Sequence, residues 1–154
     1  MKRTYTLATA VLAGLASACA VAAAQGNAPT ARVARAATVN VRSTSLGRIL
    51  VNASGFTLYE FTRDSRNKNT CMKVSGCSAV WPALAASRPT AGPGVKASLL
   101  STIRLPSGAR QVTYAGHPLY LYREATERAE TGYVGVSHFG GRWDALNASG
   151  GTVK

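Results

Sequence analysis

The feature that most constrains the fold of this chain is a short pattern that occurs twice. Residues 55–61 are GFTLYEF and residues 116–122 are GHPLYLY, so Gly, Leu, Tyr and an aromatic residue recur 61 positions apart. Farther along, WPAL at 81–84 matches WDAL at 143–146 with an offset of 62, and these segments hold the only two tryptophans. The chain therefore contains two copies of one unit.

Both copies have the composition of β-hairpins. In copy one, about residues 38–84, two strand-like runs flank the loop NASG; in copy two, about residues 98–146, two such runs flank AGH. The Gly in each loop suits a turn that needs a positive φ angle. NASGGTV at 147–153 predicts a further C-terminal hairpin. The predicted fold class is all-β and mainly antiparallel, with minor helical turns near CSAVW and KASLL.

The aromatic residues of the repeat are predicted to form its core. Alternate residues of a strand share a face, so Tyr59 and Phe61 point one way, and Tyr120 and Tyr122 do the same in copy two. One β unit of about 60 residues buries too little surface to be stable alone. We therefore expect the copies to pack together, as a sandwich or a continuous meander, with a pseudo-two-fold axis that makes Tyr59 and Tyr120 equivalent.

Residues 1–24 predict a secretory signal peptide, with a basic start, an apolar Ala-rich run and small residues before the cleavage site. A retained membrane helix is the alternative, and the polar, Pro-containing stretch that follows counts against it. LASAC, which ends at Cys19, resembles a bacterial lipobox, although Ala16 lies where a Leu is usual. Lipidation of Cys19 and simple cleavage after residue 24 are therefore both hypotheses. Residues 25–37 predict a flexible tether and residues 38–153 a single domain.

Two cysteines remain once the signal segment is removed. In an oxidising compartment Cys71 and Cys77 predict one disulfide that closes a small loop. A redox-active pair is more often Cys-x-x-Cys, and five residues intervene here. A tetrahedral zinc site would need a second pair of ligands.

The chain is strongly basic, with 18 Lys and Arg against six Asp and Glu. Such a field attracts lipid head groups, acidic glycans or acidic proteins. The basic residues are scattered, and the densest stretch holds Arg63, Arg66, Lys68 and Lys73. A solvated basic face is the simpler interpretation. An exported protein seldom meets nucleic acid, so no nucleic-acid partner is expected.

The repeat resembles a known family, the bacterial secreted repeats or predicted lipoproteins that share a Tyr-x-(Phe/Trp/Tyr)-x-x-Asp motif. Copy one carries the full motif as Tyr59, Phe61 and Asp64, within LGRILVNASGFTLYEFTRD. The Cys pair and CSAVWPAL are similar to the family's first repeat, and RQVTYAGHPLYLY and FGGRW to its second. The resemblance covers about residues 38–153.

Copy two departs from this motif. Tyr120 and Tyr122 are present, but Ala125 stands where the Asp is expected. The adjacent Glu124 would face the other way on a strand. The resemblance implies an exported, often membrane-anchored module, located in the periplasm or outside the cell, and it brings no established activity.

Three polar residues are candidate site residues with an alternative structural role. Asp64 follows a strand, where its carboxylate suits an Asx-type turn; a ligand or cation contact is the alternative. His117 lies in a hairpin turn and His138 in a Gly-flanked loop, and both are expected as exposed turn residues and only weak ligand candidates. No spacing gives a metal signature, and no catalytic motif is present. We therefore predict no catalytic residue, metal or cofactor.

Three functions remain open at this stage. The favoured hypothesis is a non-catalytic envelope module that binds a partner or an anionic surface, in contact with a membrane only through a lipid anchor. The second is a protein that binds a small ligand, metal or haem through its tyrosines and histidines. The third is an enzyme of unrecognised type.

Overall fold

Short apolar runs produce ten strands in residues 36–154, the part of the chain that the computed structural model describes. The predictions for the signal peptide, Cys19 and residues 25–35 of the tether lie outside the described residues. The first strand begins at Ala36, inside the segment predicted as the end of the tether. Within the described residues, no helix is long and apolar enough to cross a membrane.

The strands are short and are joined by tight turns. They are β1 (Ala36–Thr44), β2 (Gly47–Asn52), β3 (Tyr59–Phe61), β4 (Arg88–Ala91), β5 (Leu100–Arg104), β6 (Arg110–Tyr114), β7 (His117–Pro118), β8 (Val136–His138), β9 (Gly141–Leu146) and β10 (Thr152–Val153). Helical structure consists of α1 (Cys77–Val80) and two 3-10 turns, Cys71–Lys73 and Ala97–Leu99.

Three sheets follow from these strands. Their strand orders are β2-β1-β4, β10-β9-β3 with β8 added beside β9, and β5-β6-β7. All ladders are antiparallel except β1 with β4. The all-β, mainly antiparallel prediction is confirmed. The hairpins predicted around NASG and AGH are present, as Val51 bridges Thr57 and β6 pairs with β7, and so is the C-terminal hairpin of β9 with β10.

The two NASG loops close in the same way. The side-chain oxygen of Asn52 accepts hydrogen bonds from the backbone N–H groups of Ser54 and Phe56. Asn147 makes the same two kinds of contact, two and four residues ahead of itself. Short polar side chains that bond to nearby backbone favour such turns, so the repeated letters correspond to repeated geometry.

The tryptophan segment of each copy pairs with the tyrosine segment of the other copy. The Trp segment of copy two lies in β9 and pairs with β3 of copy one, with Phe61 opposite Trp143. The Trp segment of copy one runs instead beside the Tyr segment of copy two, where Ala83 bridges Tyr120 and Leu121 N–H donates to the carbonyl of Pro82 at 2.9 Å. Each copy therefore supplies the tryptophan segment that pairs with the tyrosine segment of the other copy.

The two Tyr segments also meet each other. Tyr59 N–H donates to the carbonyl of Tyr120 at 3.0 Å, and Tyr120 N–H donates to the carbonyl of Tyr59 at 2.9 Å. A reciprocal pair of equivalent residues is what a local two-fold axis requires. The relation of the whole copies by such an axis stays a prediction.

The core has an aliphatic and an aromatic part. The aliphatic part is built from side chains of β1, β2 and β6 with the leucines that precede each repeat tyrosine, among them Leu58 and Leu119. The aromatic part holds the repeat aromatics, both tryptophans and the disulfide. The predicted Cys71–Cys77 bond is present, with the two Cα atoms 5.4 Å apart.

Candidate functional site

The two repeat tryptophans stack on each other at the centre of the aromatic core. Their rings are 4.1 Å apart and nearly parallel, with an angle of 4°. Tyr59 meets Trp81 edge-on at 5.1 Å, and Tyr120 meets Trp143 edge-on at the same distance. All four residues are almost fully buried. The tyrosine of each copy thus contacts the tryptophan of its own copy.

The second aromatic residue of each motif crosses to the other copy. Phe61 stacks on Trp143 at 4.2 Å, and Tyr122 tilts over Trp81 at 4.8 Å. Offset and edge-on ring pairs stabilise a core beyond the area that they bury. The expectation that these aromatics hold the copies together is consistent with these contacts.

Asp64 joins copy one to copy two. Its Oδ1 accepts the backbone N–H of Thr70 at 2.6 Å, and its Oδ2 accepts the hydroxyl of Tyr120 at 2.6 Å. The first contact joins residues six positions apart, a wider span than that of the Asx-type turn expected from the sequence. Burial raises the pKa of Asp64, although both hydrogen bonds oppose that shift. Burial, reinforced by the carboxylate, also raises the pKa of Tyr120.

The equivalent tyrosine of copy one has no such partner. Ala125 occupies the place of the Asp in copy two, and its N–H only closes a turn with the carbonyl of Tyr122. The hydroxyl of Tyr59 instead donates to the backbone carbonyl of Glu130, at the longer distance of 3.5 Å. Copy two therefore supplies no carboxylate that accepts the hydroxyl of Tyr59, although burial, reinforced by the charge of Glu130, raises the pKa of Tyr59.

A polar edge covers the far face of the β3–β9 pair; we use this name for Glu60, His117, Arg142 and Asp144. Glu60 is only 5% exposed. It forms an ion pair with His117 Nδ1 and accepts the hydroxyl of Thr152 at 2.5 Å. Burial alone would raise the pKa of Glu60, but the bonds from His117 and Thr152 outweigh it and lower that pKa. The bond to Glu60 raises the pKa of His117 against its partial burial.

Asp144 lies directly opposite Glu60 across the strand pair. It is fully buried, and the guanidinium of Arg142 donates to both of its oxygens at 2.7–2.9 Å. The bidentate pair satisfies the buried carboxylate. At the equivalent place between the other two segments, Leu121 meets Pro82. The polar edge therefore exists on one side of the duplication only.

The two histidines do not converge. His117 belongs to the polar edge, whereas His138 is exposed and stacks on Phe139 at 3.9 Å. Within residues 36–154, no group of three or more His, Cys, Asp or Glu side chains is placed to hold a metal ion. A shallow pocket of about 240 Å³ lies on β1 and β2, and its lining includes Arg42 but neither a carboxylate nor an imidazole.

The basic stretch from Arg63 to Lys73 is exposed and bonds to carbonyls. The guanidinium of Arg63 donates to the carbonyl of Phe139 at 2.9 Å, and that of Arg66 to the carbonyl of Ala115 at 3.0 Å. Among the described residues, Arg142 is the one arginine or lysine in an ion pair with a carboxylate. The two guanidinium groups of this stretch are therefore positioned by backbone oxygens and are not neutralised by a carboxylate.

Sequence reasoning missed the polar edge and the partner of Asp64. The sequence does contain a signal for the polar edge, because Glu60 interrupts a hydrophobic strand at a place where copy two has Leu121. The signal for the contact between Asp64 and Tyr120 is weaker: both motif tyrosines are present in the sequence, but only one motif Asp is. That contact spans 56 residues, which no local pattern can define.

Comparison with known proteins finds a similarity for part of copy one. Residues 40–85 match the model of a secreted repeat of unknown function. No curated protein and no solved structure matches the chain. The matched segment contains β1 from its fifth residue, β2, β3, the disulfide and Trp81. Residues 40–85 are therefore similar to a secreted repeat of unknown function.

Proposed function

We propose that this protein is an exported, non-catalytic module of the cell envelope that binds an anionic lipid surface. The observation that carries the proposal is the placement of its acidic side chains. Four of the 18 basic residues and none of the six acidic residues precede Ala36, so the described part carries 14 basic and six acidic side chains.

Three of the six carboxylates face the interior. Glu60 and Asp144 are buried in the polar edge, and Asp64 is half-buried against Tyr120. The other three acids, Glu124, Glu127 and Glu130, all lie within one seven-residue segment, where Glu124 and Glu127 are exposed and Glu130 has one buried carboxylate oxygen. Across the rest of the described surface, the exposed charged side chains are basic. The positive electrostatic potential of such a surface attracts and retains polyanions.

The basic stretch is the best-formed part of this surface. Arg63, Arg66, Lys68 and Lys73 are all exposed. Each guanidinium has five N–H donors, so the single carbonyl bond of Arg63 or Arg66 leaves donors for phosphate oxygens. Lipidation of Cys19, if it occurs, would hold this surface beside lipid head groups, where each basic residue contributes about 1 kcal/mol to binding.

The proposal is tested by co-sedimentation of the purified protein with vesicles. We expect retention on phosphatidylglycerol vesicles, little on phosphatidylcholine vesicles, and release as salt rises beyond physiological strength. The variant R63Q/R66Q/K68Q should bind more weakly than the matched variant R88Q/K96Q/R104Q, which removes three exposed charges elsewhere. Equal binding to both lipids, or binding that salt does not change, would contradict the proposal.

The hypothesis of a small-ligand, metal or haem protein has a direct check. His117 is engaged by Glu60 and His138 lies apart from it, so the described residues offer no convergent ligand set. Visible absorbance or stoichiometric metal in the purified protein would nevertheless replace our proposal with that hypothesis.

A further inference from the structure

The aromatic core forms a continuous series of rings from the surface to the half-buried carboxylate of Asp64. Tyr133 and Tyr122, both half-exposed, have ring centroids 3.9 Å apart. Tyr122 lies 4.8 Å from Trp81, which stacks on Trp143 at 4.1 Å. Trp143 lies 5.1 Å from Tyr120. Every step is within direct contact of two π systems, so an electron can pass along the series without crossing solvent.

Proton acceptors lie at the two ends of this series and are absent from its middle. The hydroxyl of Tyr122 donates to the carboxylate of Glu124 at 3.1 Å, and that of Tyr120 to Asp64 at 2.6 Å. The indole nitrogen of Trp81 is buried and has no hydrogen-bond partner within the described residues. That of Trp143 donates to the carbonyl of His138 at 3.2 Å, and a backbone carbonyl is a very weak base.

This distribution decides where an oxidised ring can come to rest. An oxidised indole that cannot lose its proton remains a strong oxidant and takes an electron from its neighbour. An oxidised phenol that loses its proton to a carboxylate becomes a neutral phenoxyl radical and is trapped. The tryptophans are therefore suited to relay charge. Tyr122 passes its oxidation to Trp81 only as the exposed Glu124, at 3.1 Å, returns the proton, whereas the half-buried Asp64, at 2.6 Å, holds the proton of Tyr120 and ends the relay.

We propose that the aromatic core takes up a one-electron oxidising radical at Tyr122 and relays the oxidation through Trp81 and Trp143 to Tyr120. The substrate is a small radical oxidant, which gains one electron and is thereby reduced. The O–H bond of Tyr120 breaks, one O–H bond forms on Asp64, and the electron leaves through the tryptophans. The products are a neutral phenoxyl radical and a carboxylic acid hydrogen-bonded to it.

The burial of Tyr120 and Asp64 also favours trapping of the radical at Tyr120. Tyr120 is 1% exposed, so a radical there is shielded from other molecules, whereas one at Tyr122 is not. Burial raises the pKa of Asp64, which makes this carboxylate a better proton acceptor than an exposed one.

The duplication supplies an internal control. Tyr59 contacts Trp81 edge-on at 5.1 Å, the same geometry that Tyr120 has on Trp143. Its hydroxyl, however, donates to the backbone carbonyl of Glu130 at 3.5 Å, and the carboxylate of Glu130 acts on it through its charge without accepting its proton in a hydrogen bond. Tyr59 is therefore in electronic contact with the series but is not a trap for the radical.

The test uses azide radicals, made by a short electron pulse, as the oxidant of the purified protein. Time-resolved absorption separates indole radicals from phenoxyl radicals, and freeze-quenched electron paramagnetic resonance measures the radical that persists. In the wild type we expect the indole signal to decay into a persistent phenoxyl signal. Tyr120→Phe should lose this signal, and the matched variant Tyr59→Phe should retain it.

A second variant separates proton transfer from damage to the fold. Asp64→Asn keeps an oxygen that can accept the Thr70 N–H but removes the base, so the persistent phenoxyl should form more slowly and lose its deuterium isotope effect. Near-ultraviolet circular dichroism checks that each variant keeps its core. A persistent phenoxyl in Tyr120→Phe, equal loss in both Phe variants, or a tyrosine–tyrosine cross-link of Tyr122 with Tyr133 as the sole product would overturn the proposal.

Discussion

The two copies of the repeat have matching aromatic contacts and different polar surroundings. Each motif tyrosine meets its tryptophan edge-on at 5.1 Å. The hydroxyl of Tyr120 bonds to a carboxylate, however, and that of Tyr59 only to a backbone carbonyl. The polar edge has an apolar counterpart, Leu121 against Pro82. The duplication therefore preserves what packs the core and alters what carries charge.

The aromatic rings that the two copies share stabilise the core, whereas the polar groups differ between the copies. Stacked rings contribute to the core wherever they occur, and both copies need them equally because they share one core. A buried carboxylate stabilises only when its hydrogen bonds are complete, since an unpaired one is costly to bury. Asp64 and Asp144 each have their partners. Such complete networks are harder to duplicate than a ring.

The largest expected effect tests whether the core is shared. Trp81→Ala and Trp143→Ala should each lower the free energy of unfolding by about 4 kcal/mol, because each ring contacts aromatics of both copies. Urea denaturation of the two variants gives the comparison, and Met72→Ala, at an exposed side chain, is the control. If one tryptophan proves nearly neutral, the copies do not share the core equally.

A smaller effect should distinguish the two tyrosine hydroxyls. Tyr120→Phe leaves the half-buried carboxylate of Asp64 without one donor and should cost about 1–2 kcal/mol of stability. Tyr59→Phe loses only a long bond to a carbonyl and should cost less than about 0.5 kcal/mol. Melting of the two variants side by side measures this difference. Equal losses would show that the carboxylate adds nothing to the tyrosine of copy two.

The smallest effect concerns pH and the polar edge. The raised pKa of His117 gives stability that is complete below pH 6.5 and is lost as pH rises through that raised pKa. The lowered pKa of Glu60 gives stability that is present above pH 4.5 and is lost as pH falls through its lowered value. The ion pair of Glu60 and His117 therefore stabilises the fold most between pH 4.5 and pH 6.5.

The variant His117→Gln isolates this contribution. It should remove the loss of stability on the alkaline side, a change of less than about 1 kcal/mol because solvent screens the part-exposed imidazole. Urea denaturation at a series of pH values measures it. Asp64 and Arg66 act on His117 as well, but both remain in the variant, so the difference between the two pH profiles reports the imidazole. Parallel profiles would contradict the assignment.

Much of the fold could be predicted because its signals are local. Alternation placed Tyr59 and Phe61 on one face, loop residues gave the hairpins, and two close cysteines gave the disulfide. The pairing of tryptophan and tyrosine segments between the copies could not be predicted, because it depends on which of two similar segments pairs with which. The sequence pattern allows either tryptophan segment to pair with either tyrosine segment, and contacts across the whole fold decide which pairing forms.

The candidate site was predicted less well for the same reason. Asp64 was expected in a local turn, yet its second oxygen bonds to a residue of the other copy. The sequence pattern gives no partner for Glu60, and β9 with Thr152 of β10 covers it. Both contacts join residues that are far apart in the chain, and propensity says nothing about such partners.

The pairing of each tryptophan segment with the other copy has a consequence for how such a protein can be assembled. A single copy would have a tyrosine strand and a tryptophan strand that both lack their partners, and only another copy could complete it. Two separate chains could do this at a free energy that depends on their concentration. Joining the copies in one chain replaces that encounter with a high effective concentration, so the completed core persists even when the protein is dilute.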